Sequence, residues 1–231
     1  MLSAEAKVEF IGSFLVNLLV FSARGASILL GQRDALQIGL VYGFATMCLV
    51  LIFFPAVRCH FTPLLTVVDI AFKGHDLRSG TLSILAQFTG CLLAACLAAL
   101  LLGPSQSDKL AVSALGTPGL QPQFGAFNGF CTEFIFAGVL GYAHCRFSRR
   151  EDGVEKWVEL YAAMRCVVLL LAAVNGEAVS GISLNPFAVI TPATIGLAAD
   201  ASPTIFIVAP VLGALCGGFL HQKVIATKFN E

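Results

Sequence analysis

Six apolar stretches long enough to cross a bilayer, and two more that stop at about half that length, constrain this chain more than any other feature of its sequence. The long stretches run over residues 8–30, 36–57, 80–103, 126–147, 158–176 and 203–223. A spanning helix needs about 20 mostly apolar residues, so each reads as one span. The short ones, Thr62 to Phe72 and Asn185 to Ile195, cannot cross. Each opens with a residue suited to cap a helix and then a proline, which loses no helical hydrogen bond in the first turn. They read as half-helices that start cleanly and end early.

Composition narrows the function classes. Only 12% of the residues are charged and 57% are hydrophobic, against about 25% charged in soluble domains, which excludes a soluble globular protein. Fourteen basic side chains balance fourteen acidic ones, so there is no basic field to attract nucleic acid. Nucleic-acid binding is excluded as a main role. Six spans take up roughly 120 residues, which leaves no room for a large soluble domain. Cys48, Cys91, Cys96, Cys131, Cys166 and Cys216 lie inside apolar runs and read as small packed thiols rather than a disulfide scaffold. No Cys-x-x-Cys pair or Cys/His group has metal-ligand spacing, and the four histidines are scattered, so neither a metal nor a cofactor is expected. The amino terminus lacks the pattern of a removable signal peptide and is expected to stay as the first span.

Lys and Arg set the orientation. With both termini inside, Lys7, Arg58, Lys73, Arg78, Arg146, Arg149, Arg150, Lys156, Arg165, Lys223 and Lys228 fall on or near the cytoplasmic side. Only Arg24, Arg33 and Lys109 fall outside.

The chain also repeats itself. Glu9-Phe10-Ile11 recurs as Glu133-Phe134-Ile135 at a displacement of 124, while Thr62-Pro63 recurs as Asn185-Pro186 and Gly90 as Gly213 at 123. The repeats cover about 1–110 and 124–231 of one domain. Each holds three spans, an odd number, so the second enters the membrane from the opposite side. Half-helices inserted from opposite faces bring two N-termini, each equivalent to roughly half a positive charge, to the bilayer midplane, where they repel cations. The extended stretches before them, Arg58-Cys59-His60-Phe61 and Gly181-Ile182-Ser183-Leu184, would leave main-chain carbonyls unpaired, which lipid forbids unless they line a polar cavity. Carbonyls beside apolar side chains suit a narrow pore for small neutral molecules.

These residues carry a resemblance. Ser180-Gly181-Ile182-Ser183-Leu184-Asn185-Pro186 resembles the Ser-Gly-x-x-x-Asn-Pro-Ala signature of the aquaporin, or major intrinsic protein, family, and His60-Phe61-Thr62-Pro63 resembles its His-x-Asn-Pro. Glu9-Phe10-Ile11-Gly12-Ser13-Phe14, Ala86-Gln87-x-x-Gly90, Glu133 and Pro210-x-x-Gly213-Ala214 extend the similarity over nearly the whole chain. The resemblance implies an all-α membrane protein of six transmembrane helices and two re-entrant half-helices. It also implies a homotetramer with one pore per subunit.

The departures matter as much. The first box has Thr62 for Asn and Leu64 for Ala, and the second has Phe187 for Ala. Thr62 can cap its half-helix but cannot offer the two amide donors of Asn. Where the family usually carries a constriction arginine, this chain has Ala188; the other constriction positions fall at Tyr42, Ala173 and Ile182. That ring holds no fixed charge and favours less polar or bulkier neutral solutes. The resemblance gives Glu9 and Glu133 the role of holding the re-entrant loops. A proton relay is the alternative for intramembrane carboxylates, but neither sequence neighbourhood supplies titratable partners. Glu177 reads as a vestibule residue without a role. Arg58 either follows the positive-inside bias or replaces part of the lost cation barrier at the inner mouth, and Cys59 is the counterpart of Ile182. The expected function is passive conduction of water and small neutral solutes such as glycerol, urea, ammonia or hydrogen peroxide, without enzymatic activity. Two alternatives stay open: an inverted-repeat secondary transporter, and a non-conducting structural protein plugged by Phe187 and Leu64. The membrane is either intracellular and vacuole-like or the plasma membrane.

Overall fold

Capping residues and prolines place the helix ends. In the computed structural model, which describes residues 3–31, 34–102, 115–148, 157–197, 202 and 204–228, α1 (Ala4–Leu29) starts earlier than its apolar stretch because the Ser3 hydroxyl accepts the Ala6 amide at 3.1 Å. It ends at Gly31, whose φ of 72° suits glycine. The Asp34 carboxylate accepts the Gln37 amide at 3.0 Å and opens α2 (Ala35–Phe53), which stops short of residue 57 because Pro55 cannot continue it. Then come the half-helix α3 (Pro63–Phe72), α4 (Leu77–Leu102), α5 (Ala126–Phe147), α6 (Trp157–Gly176), the half-helix α7 (Phe187–Thr194), and α8 (Ala209–Lys228), which is entered through a π-helical turn at Thr204–Val208. Arg33, Lys109, Arg149, Arg150 and Lys156, used above for orientation, lie outside the described residues.

Among the described residues, five long helices are apolar enough to cross a membrane by length and composition: α1, α2, α4, α6 and the turn with α8. The sixth, α5, is less apolar because Asn128, Thr132, Glu133 and His144 lie along it. Its Glu133 and His144 are buried.

The most extensive helix pairs are α1 with α4 and α5 with α8, while α2 pairs with α6. The half-helices cross over, α3 packing on α8 and α7 on α4. Each contact thus has a partner at the repeat displacement. A Cβ added at Gly90 on α4 would overlap the Phe10 carbonyl oxygen of α1, and one at Gly213 on α8 would overlap the Phe134 carbonyl of α5. Glycine is what lets both pairs meet backbone to backbone.

The polarity is that of a membrane protein. Leu19, Leu40, Ile52, Leu85, Leu101 and Leu171 are exposed, whereas Glu9, Asn17, Arg24, Gln87, Glu133 and Arg165 are buried. The charged groups gather around the two re-entrant loops.

Candidate functional site

Each loop must turn sharply from an extended stretch into a half-helix. Phe61 has φ 62° and Leu184 φ 45°, a left-handed conformation that costs a non-glycine residue about 1–3 kcal/mol. They sit 123 residues apart, each just before its box. What holds them is a buried carboxylate. Glu9 accepts the amides of His60 at 2.5 Å and Phe61 at 2.8 Å, and the Gln87 side-chain amide at 2.9 Å. Glu133 accepts the amides of Ser183 at 2.9 Å and Leu184 at 3.4 Å, and the Ser180 hydroxyl at 2.9 Å. One glutamate satisfies consecutive donors that no helix or sheet can.

The boxes meet in the interior. The Thr62 hydroxyl does not cap α3, contrary to expectation; it donates at 3.0 Å to the Leu184 carbonyl of the other loop. Having one O–H, it can donate to nothing else, although its oxygen can still accept. Asn185 behaves as expected of a cap, its Oδ1 accepting the Phe187 amide at 3.1 Å, while its Nδ2 donates to Oδ1 of Asn17 on α1 at 3.2 Å. Pro63 and Pro186 open the two half-helix turns. Leu64 is fully buried in the main core, and the Phe187 ring packs edge-on against Phe88 of α4, with centroids 5.4 Å apart.

The four expected constriction residues are all buried. Tyr42, Ala173 and Ile182 share the main core cluster, but Ala188 belongs to a second one with Phe21, Cys91 and Leu115. A buried charge stands instead on the carbonyls of the second loop. Arg24, 2% exposed, donates through Nη2 to the carbonyls of Gly181 at 2.6 Å and Ile182 at 2.8 Å, and pairs with Glu177 at 3.2 Å. Arg24, counted above only for orientation, is thus a buried, paired group, and Glu177, read as without a role, is its partner. Tyr42 donates to the Ser183 carbonyl at 3.3 Å. The outer carbonyls are therefore engaged by Arg24, Tyr42 and Thr62 rather than left unpaired, although each carbonyl keeps a second lone pair for a passing molecule.

The inner loop has its own guanidinium. Arg165 on α6 donates to the His60 carbonyl at 2.5 Å, and its charged carbon lies 5.8 Å from the Phe61 ring centre and 5.6 Å from that of Tyr161. Among the described residues nothing donates to the carbonyls of Arg58 and Cys59. Arg58 is 47% exposed and reaches Asp69 at 3.5 Å. The scattered histidines meet here. Asp69 of α3 contacts Nε2 of His60 at 2.9 Å and Nε2 of His144 at 2.6 Å, and the other nitrogen of His144 lies 2.7 Å from the Tyr161 hydroxyl. His60, Asp69 and His144 could in principle ligate a cation. Their ligand atoms are spent on one another, however, and Lys73 at 3.6 Å joins Arg58 in balancing the carboxylate. Glu9 also has titratable company, through Gln87 and Thr66 to His60, with links of 2.9, 2.9 and 3.0 Å. The sequence reading found none, because His60 and His144 are 84 residues apart and join only through α3.

Asn17, Arg24, Arg165, Asp69 and His144 are what the sequence reading missed. The signal was available for two of them, since a charge inside a span is a functional hypothesis by default, and counting Arg24 and Arg165 as orientation residues hid it. The six cysteines in apolar runs do not share one environment: Cys91 and Cys166 are buried, Cys96, Cys131 and Cys216 half-buried, and Cys48 exposed.

Six long helices, two half-helices meeting by their N-termini and carboxylate-held loops define a re-entrant membrane fold. The chain belongs to the major intrinsic protein family, whose profile matches residues 2–221. It is 27% identical to a glycerol uptake facilitator protein-like protein of Lactiplantibacillus plantarum, covering 91% of this chain and 93% of that one. It is 28% identical to an aquaporin of Encephalitozoon intestinalis, covering 94% and 92%. Its fold matches the X-ray structure of the aquaglyceroporin from Plasmodium falciparum with a TM-score of 0.80, at 18% identity and 98% coverage of both chains.

Proposed function

We propose that this protein is a passive channel for water and small uncharged solutes of the glycerol and urea class. One observation carries the reading: two loops, held by Glu9 and Glu133, bring their carbonyls together where the Thr62 hydroxyl of one meets the Leu184 carbonyl of the other, next to Asn185. Such a row replaces the hydration of a neutral molecule, while the half-helix dipoles oppose cations. The outer constriction is formed by Tyr42, Ala173 and Ile182, with Arg24 supplying from α1 the charge that Ala188 lacks. The Phe187 ring is engaged by Phe88 of α4. The repeats span about 1–110 and 124–231, the termini are cytoplasmic, and the assembly is a homotetramer that native mass spectrometry would detect at four times 24.3 kDa.

Stopped-flow swelling of proteoliposomes, first with water and then with glycerol and urea gradients, tests the reading. Flux that rises linearly with the gradient and needs no coupled ion is expected. Saturating or ion-coupled flux would replace the channel by a transporter, and no flux by a structural role.

A further inference from the structure

The repeat displacement maps Tyr42 onto Arg165 and Ser183 onto His60. The hydrogen bonds follow the same mapping: Tyr42 donates to the Ser183 carbonyl at 3.3 Å, and Arg165 donates to the His60 carbonyl at 2.5 Å. Two side chains at equivalent positions thus grip equivalent carbonyls of the two loops, one from the outer side and one from the inner. The same displacement carries Ala173 to Val50, Ile182 to Cys59 and Ala188 to Leu65. Val50, Cys59 and Leu65 are all fully buried in the cluster that also holds Tyr42, Ala173 and Ile182.

The two rings differ in charge. Arg24, at the outer loop, is neutralised by Glu177 at 3.2 Å. Arg165 is 2% exposed, and among the described residues no carboxylate comes within ion-pair distance of it. Its Nε–H is buried without a hydrogen-bond partner, and its Nη1 makes only a long 3.5 Å contact with the Tyr161 hydroxyl. A buried, unpaired guanidinium with free donors is costly unless a water column or a passing solute meets it.

We propose that Arg165, Val50, Cys59 and Leu65 form an inner constriction, the mirror of the outer one, and that Arg165 makes it the main cation barrier of the channel. Its free donors face the lumen and favour neutral solutes that carry oxygen acceptors, while its charge excludes protons and metal cations. The inference rests on the channel reading above.

Proton and sodium leak in dye-loaded proteoliposomes, measured beside water permeability, tests it. Arg165→Gln is expected to raise the leak at least about tenfold, the equivalent of one decade in rate, with water permeability little changed. Arg165→Lys, which keeps the charge, is expected to stay tight. A tight Arg165→Gln in a water-conducting preparation overturns the inference and leaves the channel reading intact. A wild type that conducts no water removes the channel reading first. Should Arg165→Gln not fold, Arg165→Met, uncharged and of similar length, carries the same test: a leak raised about tenfold is expected, and a tight variant that conducts water overturns the inference.

Discussion

Asn185 and Thr62 occupy equivalent positions but divide the work unequally. Asn185 caps its half-helix and donates to Asn17, whereas Thr62 spends its only donor on Leu184. Asn185→Asp is therefore expected to lower water permeability more than about tenfold, because a carboxylate loses the amide donor, faces the Asn17 Oδ1, and puts a negative charge at the midplane. Stopped-flow measurement at equal membrane abundance checks this, and unchanged permeability would remove Asn185 from the conduction path. Arg24 and Glu177 give a second residue-level test. Both are almost fully buried, so Arg24→Gln alone strands a carboxylate and is expected to destabilise the protein by about 3–5 kcal/mol, read as a lower Tm in detergent. Adding Glu177→Gln should restore most of that loss. Two independent, additive losses would mean that the pair does not interact. Boxes, glutamates and repeat could be read in the sequence because each is a local pattern with a fixed spacing. The Arg24 grip on the loop could not, since the 157 residues that separate it from Gly181 close only through tertiary packing.

Helix positions were also legible, to within a few residues. The apolar stretches overlapped all six long helices, and the errors were at ends fixed by Ser3, Pro55 and the Asn185-Pro186 turn, where capping chemistry outweighs hydropathy. Element pairing was visible only as a coincidence between Gly90 and Gly213. The structure explains that coincidence, because each glycine faces a carbonyl of the neighbouring helix. Gly213→Val is expected to force α5 and α8 apart and to abolish recovery of a monodisperse protein. Gly119→Ala, at a glycine whose added Cβ would meet only the Thr117 carbonyl oxygen at 4.0 Å, should be tolerated. Size-exclusion profiles of the two variants make the comparison, and a well-behaved Gly213→Val would mean that the close approach is not required.

At the scale of the whole molecule, apolar faces point outward and charges point at the two loops. With the six proposed crossings, both termini would stand on one side. A cleavable tag at either end is expected to be cut only by protease on the cytoplasmic face of sealed vesicles; cleavage of one tag from each face would require an odd number of crossings. Pairing across the repeats, with α2 on α6, α3 on α8 and α7 on α4, makes the halves interdependent.

That interdependence has a consequence for biogenesis. Asp69 of the first half is held by His144 of the second, on a helix made 75 residues later. A carboxylate at the centre of a lone helix costs roughly 3 kcal/mol in the bilayer. Within the first half His60, Arg58 and Lys73 offset that cost, so the half-helix is expected to be held before α5 is made and to be locked to the second half when His144 arrives, an order that protease protection of a chain truncated after α4 would read.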